Sequence, residues 1–196
     1  MANTVEIMEL YTAYFNRAAD KAGVDYWANE MDANGWTLDQ VAQSFADQAE
    51  YQAIYGNLGN EATIVEIYEN LLNRAPDAAG LAYWKEQLDS GAMPIDKIVK
   101  AIIDGAQGSD IAIIENKTIV SQYAFNAGLE ATDGKTISLK EITADPTTID
   151  STGIKTTIDG TVEAQNGTGV EFTLTTGSDV FEGKAGNDTI TGTEAT

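Results

Sequence analysis

The sequence predicts a mainly α-helical protein: a domain of two three-helix repeats with further helices, followed by the start of a calcium-binding parallel β-roll. Three observations carry that prediction. Apolar residues recur at helical spacing through the first 130 residues, a stretch of the chain repeats itself at an offset of 57, and two Gly/Asp-rich nonapeptides lie near the C-terminus. Composition changes in the same place. Residues 1–130 hold 14 of the 16 aromatics and five threonines, whereas residues 131–196 hold Phe172 and Phe181, 17 threonines and nine glycines. The first part has the bulk for a core, and the second reads as a thin or extended module.

The elements follow in chain order. Ile7, Leu10, Tyr11, Tyr14 and Phe15 fall at 3–4–3–4 spacing and give one helix face, as do Ile64, Ile67, Tyr68, Leu71 and Leu72. Asp20 and Asp77 are placed to cap the next helix in each copy, Pro76 bars the preceding one from running on, and Gly35 and Gly91 end the helices that carry Trp27 and Trp84. Pro94 suits a first helical turn, after which Ile95, Ile98, Val99, Ile102 and Ile103 continue the face. Ser109 starts a seventh helix, over 109–128, with Ile113, Ile114, Val120, Tyr123 and Phe125 as its face and Gly128 as its stop. Over 131–160, Asp145–Pro146 and the stripe Leu139, Ile142, Ile149, Ile154 and Ile158 predict a helical extension. From Val162, alternation of Thr, Val and Phe with regular glycines predicts a β segment over 161–196.

The repeat is gapless. Residues 9–49 and 66–106 pair Tyr11 with Tyr68, Asn16 with Asn73, Arg17 with Arg74, Asp20 with Asp77, Gly23 with Gly80, Tyr26 with Tyr83 and Trp27 with Trp84. Each copy, about 9–56 and 66–108, reads Y-x(4)-N-R-A-x-D-x-A-G-x-x-Y-W. The structural reading of this signature is the stronger one. Arginine can hold helix ends or carboxylates, glycine permits close packing, and tryptophan fills a core, so both copies should bury their tryptophans alike.

Charge and composition exclude several function classes. The chain has 31 acidic and 11 basic residues, a formal charge of −20, and neither histidine nor cysteine. Histidine-based catalysis, thiol nucleophiles, Cys/His zinc sites and disulfides are therefore absent, and any metal must take oxygen ligands, which suits Ca²⁺. No basic stripe exists to neutralise nucleic-acid phosphates, and an electrostatic hold on an anionic membrane is disfavoured. No apolar run reaches the roughly 18 residues of a transmembrane segment, and the opening MANTVEIMELY lacks the marks of an N-terminal signal peptide. The expectation is a cytoplasmic protein or one exported by another route.

Candidate sites are few. Glu30-x-Asp32-x-Asn34-Gly35 looks like the start of an EF-hand loop but has Val41 where the bidentate acid belongs. No motif singles out a catalytic carboxylate pair, so the expectation is binding rather than catalysis. In Thr176–Phe181 and Ala185–Ile190, glycine, aspartate and an apolar residue each recur nine positions later. This fits the nonapeptide of calcium-binding rolls, with Asp179, Asp188 and carbonyls near Gly177 and Gly186 as half-sites for Ca²⁺. Trp36, Tyr51 and Tyr55 are the candidate sugar-stacking rings, if exposed.

With these residues in view, the first 130 residues resemble a bacterial domain of unknown function marked by the same N-R-x-x-D-x-x-G-x-x-Y-W repeats and found in large exported surface proteins. The run Phe172–Ile190 resembles the junction after the helical N-terminal domain of Caulobacter-type S-layer proteins, where RTX-like β-structure begins. That resemblance implies an extracellular, cell-surface protein exported by type I secretion without an N-terminal signal peptide. It further implies a helical domain anchored to lipopolysaccharide O-antigen, Ca²⁺-dependent assembly, and copies of itself as partners in a surface lattice. An alternative reading is an N-terminal interaction or spacer module of a large RTX adhesin or exoenzyme.

Overall fold

The structure is a computed structural model that describes residues 4–131 and 136–166, together with the backbone of 171–173 and 189–191. The first apolar stripe forms α1 (Thr4–Phe15), with Ile7, Leu10, Tyr11 and Tyr14 all buried. Asp20 starts α2 (Lys21–Asn34): its carboxylate accepts the Gly23 N–H at 2.8 Å and so satisfies a first-turn donor that has no helical partner. Gly35 ends α2 in the left-handed conformation, φ 69°, its N–H reaching the Glu30 carbonyl. A capping box between Thr37 and Gln40 opens α3 (Leu38–Phe45), and α4 (Ala49–Tyr55) follows.

The second copy repeats the plan in α5 (Asn60–Leu72), α6 (Ala78–Asp89) and α7 (Ile95–Asp104), and Asp77 accepts the Gly80 N–H at 2.8 Å. Pro94 is the capping residue of α7 rather than a member of its first turn. Next comes α8 (Ser109–Ala127), ended by Gly128 at φ 83°. It is the eighth helix and not the seventh, because each three-helix unit is followed by a fourth helix: α4 after the first copy, α8 after the second. The short α4 has no side-chain cap and only seven residues, too few for an apolar period to stand out in the sequence.

The first helices of the two copies, α1 and α5, pack against each other and against α8 at the centre. Around them, α2, α3 and α4 lie on α1, α6 lies on α5, and α7 lies on α3. A second apolar cluster joins Ala18, Val120, Ala124 and Leu129 to the five stripe residues of 139–158, all buried as their pattern demands. They do not share one helix, however. Residues 136–147 form a loop that runs beside residues 16–18: the Ala18 N–H donates to the Ile137 carbonyl at 2.8 Å and the Leu139 N–H to the Asn16 carbonyl at 2.9 Å. These bonds satisfy backbone groups that a helix would have paired internally. Helix resumes after the Asp145–Pro146 turn, where the Asp145 carboxylate accepts the Thr147 N–H, in α9 (Thr148–Ser151) and α10 (Ile154–Asn166). Val162, expected to open a β segment, is instead helical and buried with the second cluster, because Ile154, Ile158 and Val162 form one apolar stripe on a helix that packs against α8.

Two short strands follow. β1 (Glu171–Thr173) pairs in parallel with β2 (Thr189–Thr191), Glu171 opposite Thr189, Phe172 opposite Ile190 and Thr173 opposite Thr191. The expected calcium half-sites at Gly177, Asp179, Gly186 and Asp188 lie outside the described residues.

Candidate functional site

The repeated signature folds into two stations with one construction. Asn16 and Asn73 end α1 and α5 in the left-handed region, φ 47° and 53°, a conformation asparagine tolerates better than most residues. The turn sends the next residue, arginine, back across the station. Arg17 donates through Nε and Nη2 to the two Glu50 carboxylate oxygens at 2.7 and 2.8 Å, and through Nη1 to the Ala18 carbonyl at 3.1 Å. Its guanidinium lies 4.8 Å from the Tyr11 ring centre. Arg74 does the same, gripping Asp110 at 3.1 and 2.7 Å and the Ala75 carbonyl at 3.1 Å, 5.5 Å from the Tyr68 ring. In each copy the acid comes from the fourth helix, so a bidentate clamp ties the turn after the first helix to α4 or α8.

The remaining signature residues complete the clamp. A Cβ at position 23 would lie 2.2 Å from the Tyr11 hydroxyl, so any larger residue there forces that hydroxyl to shift. Burial, with Asp20 adding to it, pushes the Tyr11 phenol up to about 12. Desolvation alone would lower the pKa of Arg17, but the hydrogen bonds and charge of Glu50, with Asp20, outweigh it and raise it. Trp27 is buried, while Trp84 is only partly covered and donates to the Tyr68 hydroxyl at 2.9 Å. The expected equal burial of the two tryptophans therefore fails. Helix α2 is sandwiched by α1 and α8, whereas α6 has α5 as its main neighbour.

Between the stations sits a residue that the sequence reading passed over. Lys117 of α8 is fully buried, and its ammonium donates to Asn16 Oδ1 at 3.0 Å, Asn73 Oδ1 at 2.7 Å and the Asn70 carbonyl at 2.5 Å. It thus pins the signature asparagine of one copy to that of the other. Burial pushes its pKa down to about 7. A signal was present: Lys117 lies between Ile113 and Val120 on the helix face read as apolar.

Two clefts flank these groups. A polar one of about 540 Å³ opens between α5 and the 136–147 loop, among Glu66, Glu69, Asn70, Asn73, Lys140 and Glu141. A smaller one of about 260 Å³ lies at the first station, lined by Tyr11, Phe15, Arg17, Trp27, Phe45, Gln48, Ala49 and Glu50. The rings proposed from sequence line neither. Tyr55 is buried and donates to the Tyr14 carbonyl at 2.8 Å, so the condition of exposure is not met and the ring is a core residue. Tyr51 packs 4.5 Å from it and 5.6 Å from Tyr14, and Trp36 packs 6.2 Å from Trp27, both partly covered by the core. Among the described residues, no group of three or more acidic side chains is placed to hold a metal ion.

A chain built from two such stations invites comparison with families that share the signature. The Domain of unknown function (DUF4214) matches residues 2–55 and 42–107. The chain belongs to this family. The two DUF4214 matches together span α1 to α7, and each contains one complete N-R-A-x-D-x-A-G-x-x-Y-W run. No curated protein and no solved structure matches the chain. No helix among the described residues is long and apolar enough to cross a membrane.

Proposed function

We propose that this chain is the N-terminal cell-surface anchoring segment of an S-layer protein, a binding module rather than an enzyme. Its helical DUF4214 domain holds lipopolysaccharide O-antigen polysaccharide at the outer face of the outer membrane, and Ca²⁺ orders the β-structure that follows. The observation that carries this reading is the register of β1 and β2. Parallel partners stand eighteen residues apart, twice the nine-residue spacing of Asp179 and Asp188. That spacing supports one turn of a calcium-binding roll built from two nonapeptides, with Phe172 opposite Ile190 in the backbone register. A roll of this kind directly after a helical domain is the arrangement of exported RTX-type surface proteins. The high negative charge and the absence of cysteine agree with a calcium-rich exterior.

Polysaccharide is a suitable ligand for such a surface. Sugar rings are largely neutral, offer hydroxyls to amides and carboxylates, and stack on aromatic rings, so an acidic protein can hold them without a basic patch. Incubating the chain with purified lipopolysaccharide, with and without its O-chain, in millimolar Ca²⁺ tests the anchor: binding should require the O-chain. Loss of binding in chelator, and its weakening by Asp179→Ala with Asp188→Ala, would tie calcium to the same assembly. Absence of binding to either form rejects the anchor role.

A further inference from the structure

We infer that the polar cleft between α5 and the 136–147 loop is the polysaccharide subsite, taking an uncharged, hydroxyl-rich sugar unit by hydrogen bonds rather than by stacking. The inference rests on the polysaccharide reading above and gives it an address. At about 540 Å³ the cleft lies within the usual range of small-molecule sites. Its floor is fixed from beneath. Lys117 donates to the Oδ1 atoms of Asn16 and Asn73, and the Asn73 amide donates to the Ile142 carbonyl, but Asn16 Nδ2 has no acceptor among the described residues.

Asn70 carries the inference. The Tyr55 hydroxyl gives its proton to the Tyr14 carbonyl, so toward Asn70 it can only accept, and Asn70 turns Nδ2 to it and to the Ala13 carbonyl, both at 3.2 Å. That orientation leaves Asn70 Oδ1 without a donor among the described residues, in a residue only 6% exposed. The unpaired side-chain atoms sealed in the core belong to Tyr14, Asp96, Thr118 and Ser121. Asn70 Oδ1 is not shut away with them and opens on the cleft that its residue lines. A buried residue that holds a free acceptor at a cleft floor is matched by a ligand that brings a donor.

Sugar hydroxyls suit this floor because each donates and accepts at once. They can donate to Asn70 Oδ1 and accept from Asn16 Nδ2. On the walls, Glu66 and Glu69 of α5 and Glu141 of the loop make no side-chain hydrogen bond or ion pair among the described residues, so their carboxylates are open to further hydroxyls. Charge narrows the ligand. Those carboxylates and the −20 charge of the chain oppose an anion, while Lys140 and Arg74 stand among the acids, and no three acids of the described residues are placed to hold a metal ion. The first copy shows that the repeat can do without these groups. At the offset of 57, Thr12 and Ala13 stand for Glu69 and Asn70. The clamp is present twice and the cleft once.

The test uses the full chain and O-chain polysaccharide released by mild acid from the lipopolysaccharide of the source bacterium, titrated by calorimetry. Glu69→Ala and Glu141→Ala remove exposed carboxylates from the two walls of the cleft, and Glu86→Ala removes the same charge from an exposed position on α6. Wild type should bind, and Glu86→Ala should bind equally well. Each cleft variant should bind roughly tenfold more weakly, the worth of one hydrogen bond to a charged group, with an unchanged thermal midpoint. If wild type binds and both cleft variants bind as well, or if Glu86→Ala weakens binding as much as they do, the cleft assignment is overturned while the anchor reading stands. If wild type binds no O-chain at all, the anchor reading falls and takes the cleft with it.

Discussion

The two stations share an arginine clamp and an aspartate cap, yet the clamped acid, Glu50 or Asp110, comes from non-equivalent positions and the surroundings differ. Arg17 is 7% exposed and Asp20 8%, whereas the side chain of Arg74 is 44% exposed and Asp77 lies in solvent. The difference comes from chain that follows the repeat. Leu129 accepts the Lys21 N–H, Ile137 accepts the Ala18 N–H, and the Leu139 N–H donates to the Asn16 carbonyl at the first station, while at the second the Ile142 carbonyl accepts from Asn73. A motif thus fixes geometry, and its energetic weight is set by what covers it.

The sharpest way to break that conclusion is to remove the arginine from each station. Arg17→Ala leaves buried Asp20 without its cation and partly exposed Glu50 without its partner, and should cost about 2–3 kcal/mol, less than at a fully buried pair. Arg74→Ala, at an exposed pair, should cost about 1 kcal/mol or less. Urea unfolding of both variants decides it, and equal losses would show that burial is not what separates the stations.

The second prediction concerns the pin between them. Native Lys117 sheds its proton at about 7, and the unfolded lysine holds it to about 10.5. Between those values the unfolded chain binds more protons, so stability rises with pH, by roughly 2 kcal/mol from pH 7.5 to 9.5. Above pH 10 the trend reverses, since buried Tyr11, Tyr14 and Tyr55 keep protons that the unfolded chain releases. Lys117→Met should flatten the rise. A slope that persists in Lys117→Met would assign it to another group.

Smaller effects separate the two glycines. Gly23→Ala forces the Tyr11 hydroxyl to move and should cost about 1–3 kcal/mol. At Gly80 the nearest atoms to a Cβ are 3.6 Å away, an ordinary contact, so Gly80→Ala should be neutral or stabilise α6 by up to about 1 kcal/mol. In thermal unfolding the midpoint should fall for Gly23→Ala and stay or rise for Gly80→Ala.

The same contrast explains what the sequence revealed. Caps, stops and stripes depend on neighbours within a few residues, so Asp20, Asp77, Gly35 and Gly128 could be read directly. The loop at 136–147 could not, because its backbone is satisfied by residues 16–18, more than a hundred positions away. Apolar Leu139 and Ile142 announced burial without announcing its form. The clefts depend on the same distance: Phe15 and Gln48 meet only after α1 and α4 have packed, and a search for exposed aromatics fell on Tyr55, which the core had already claimed. Lys117 broke an apolar pattern and so was visible in principle.

That lysine also changes what kind of repeat protein this is. In a solenoid each unit leans on the next, and units can be added or removed from the array. Here one side chain from α8 draws its three acceptors from both copies, and α8 also packs on α1, α2, α5 and α10. The duplication has closed on itself, so the described helices from α1 to α10 should melt in a single cooperative step rather than unit by unit.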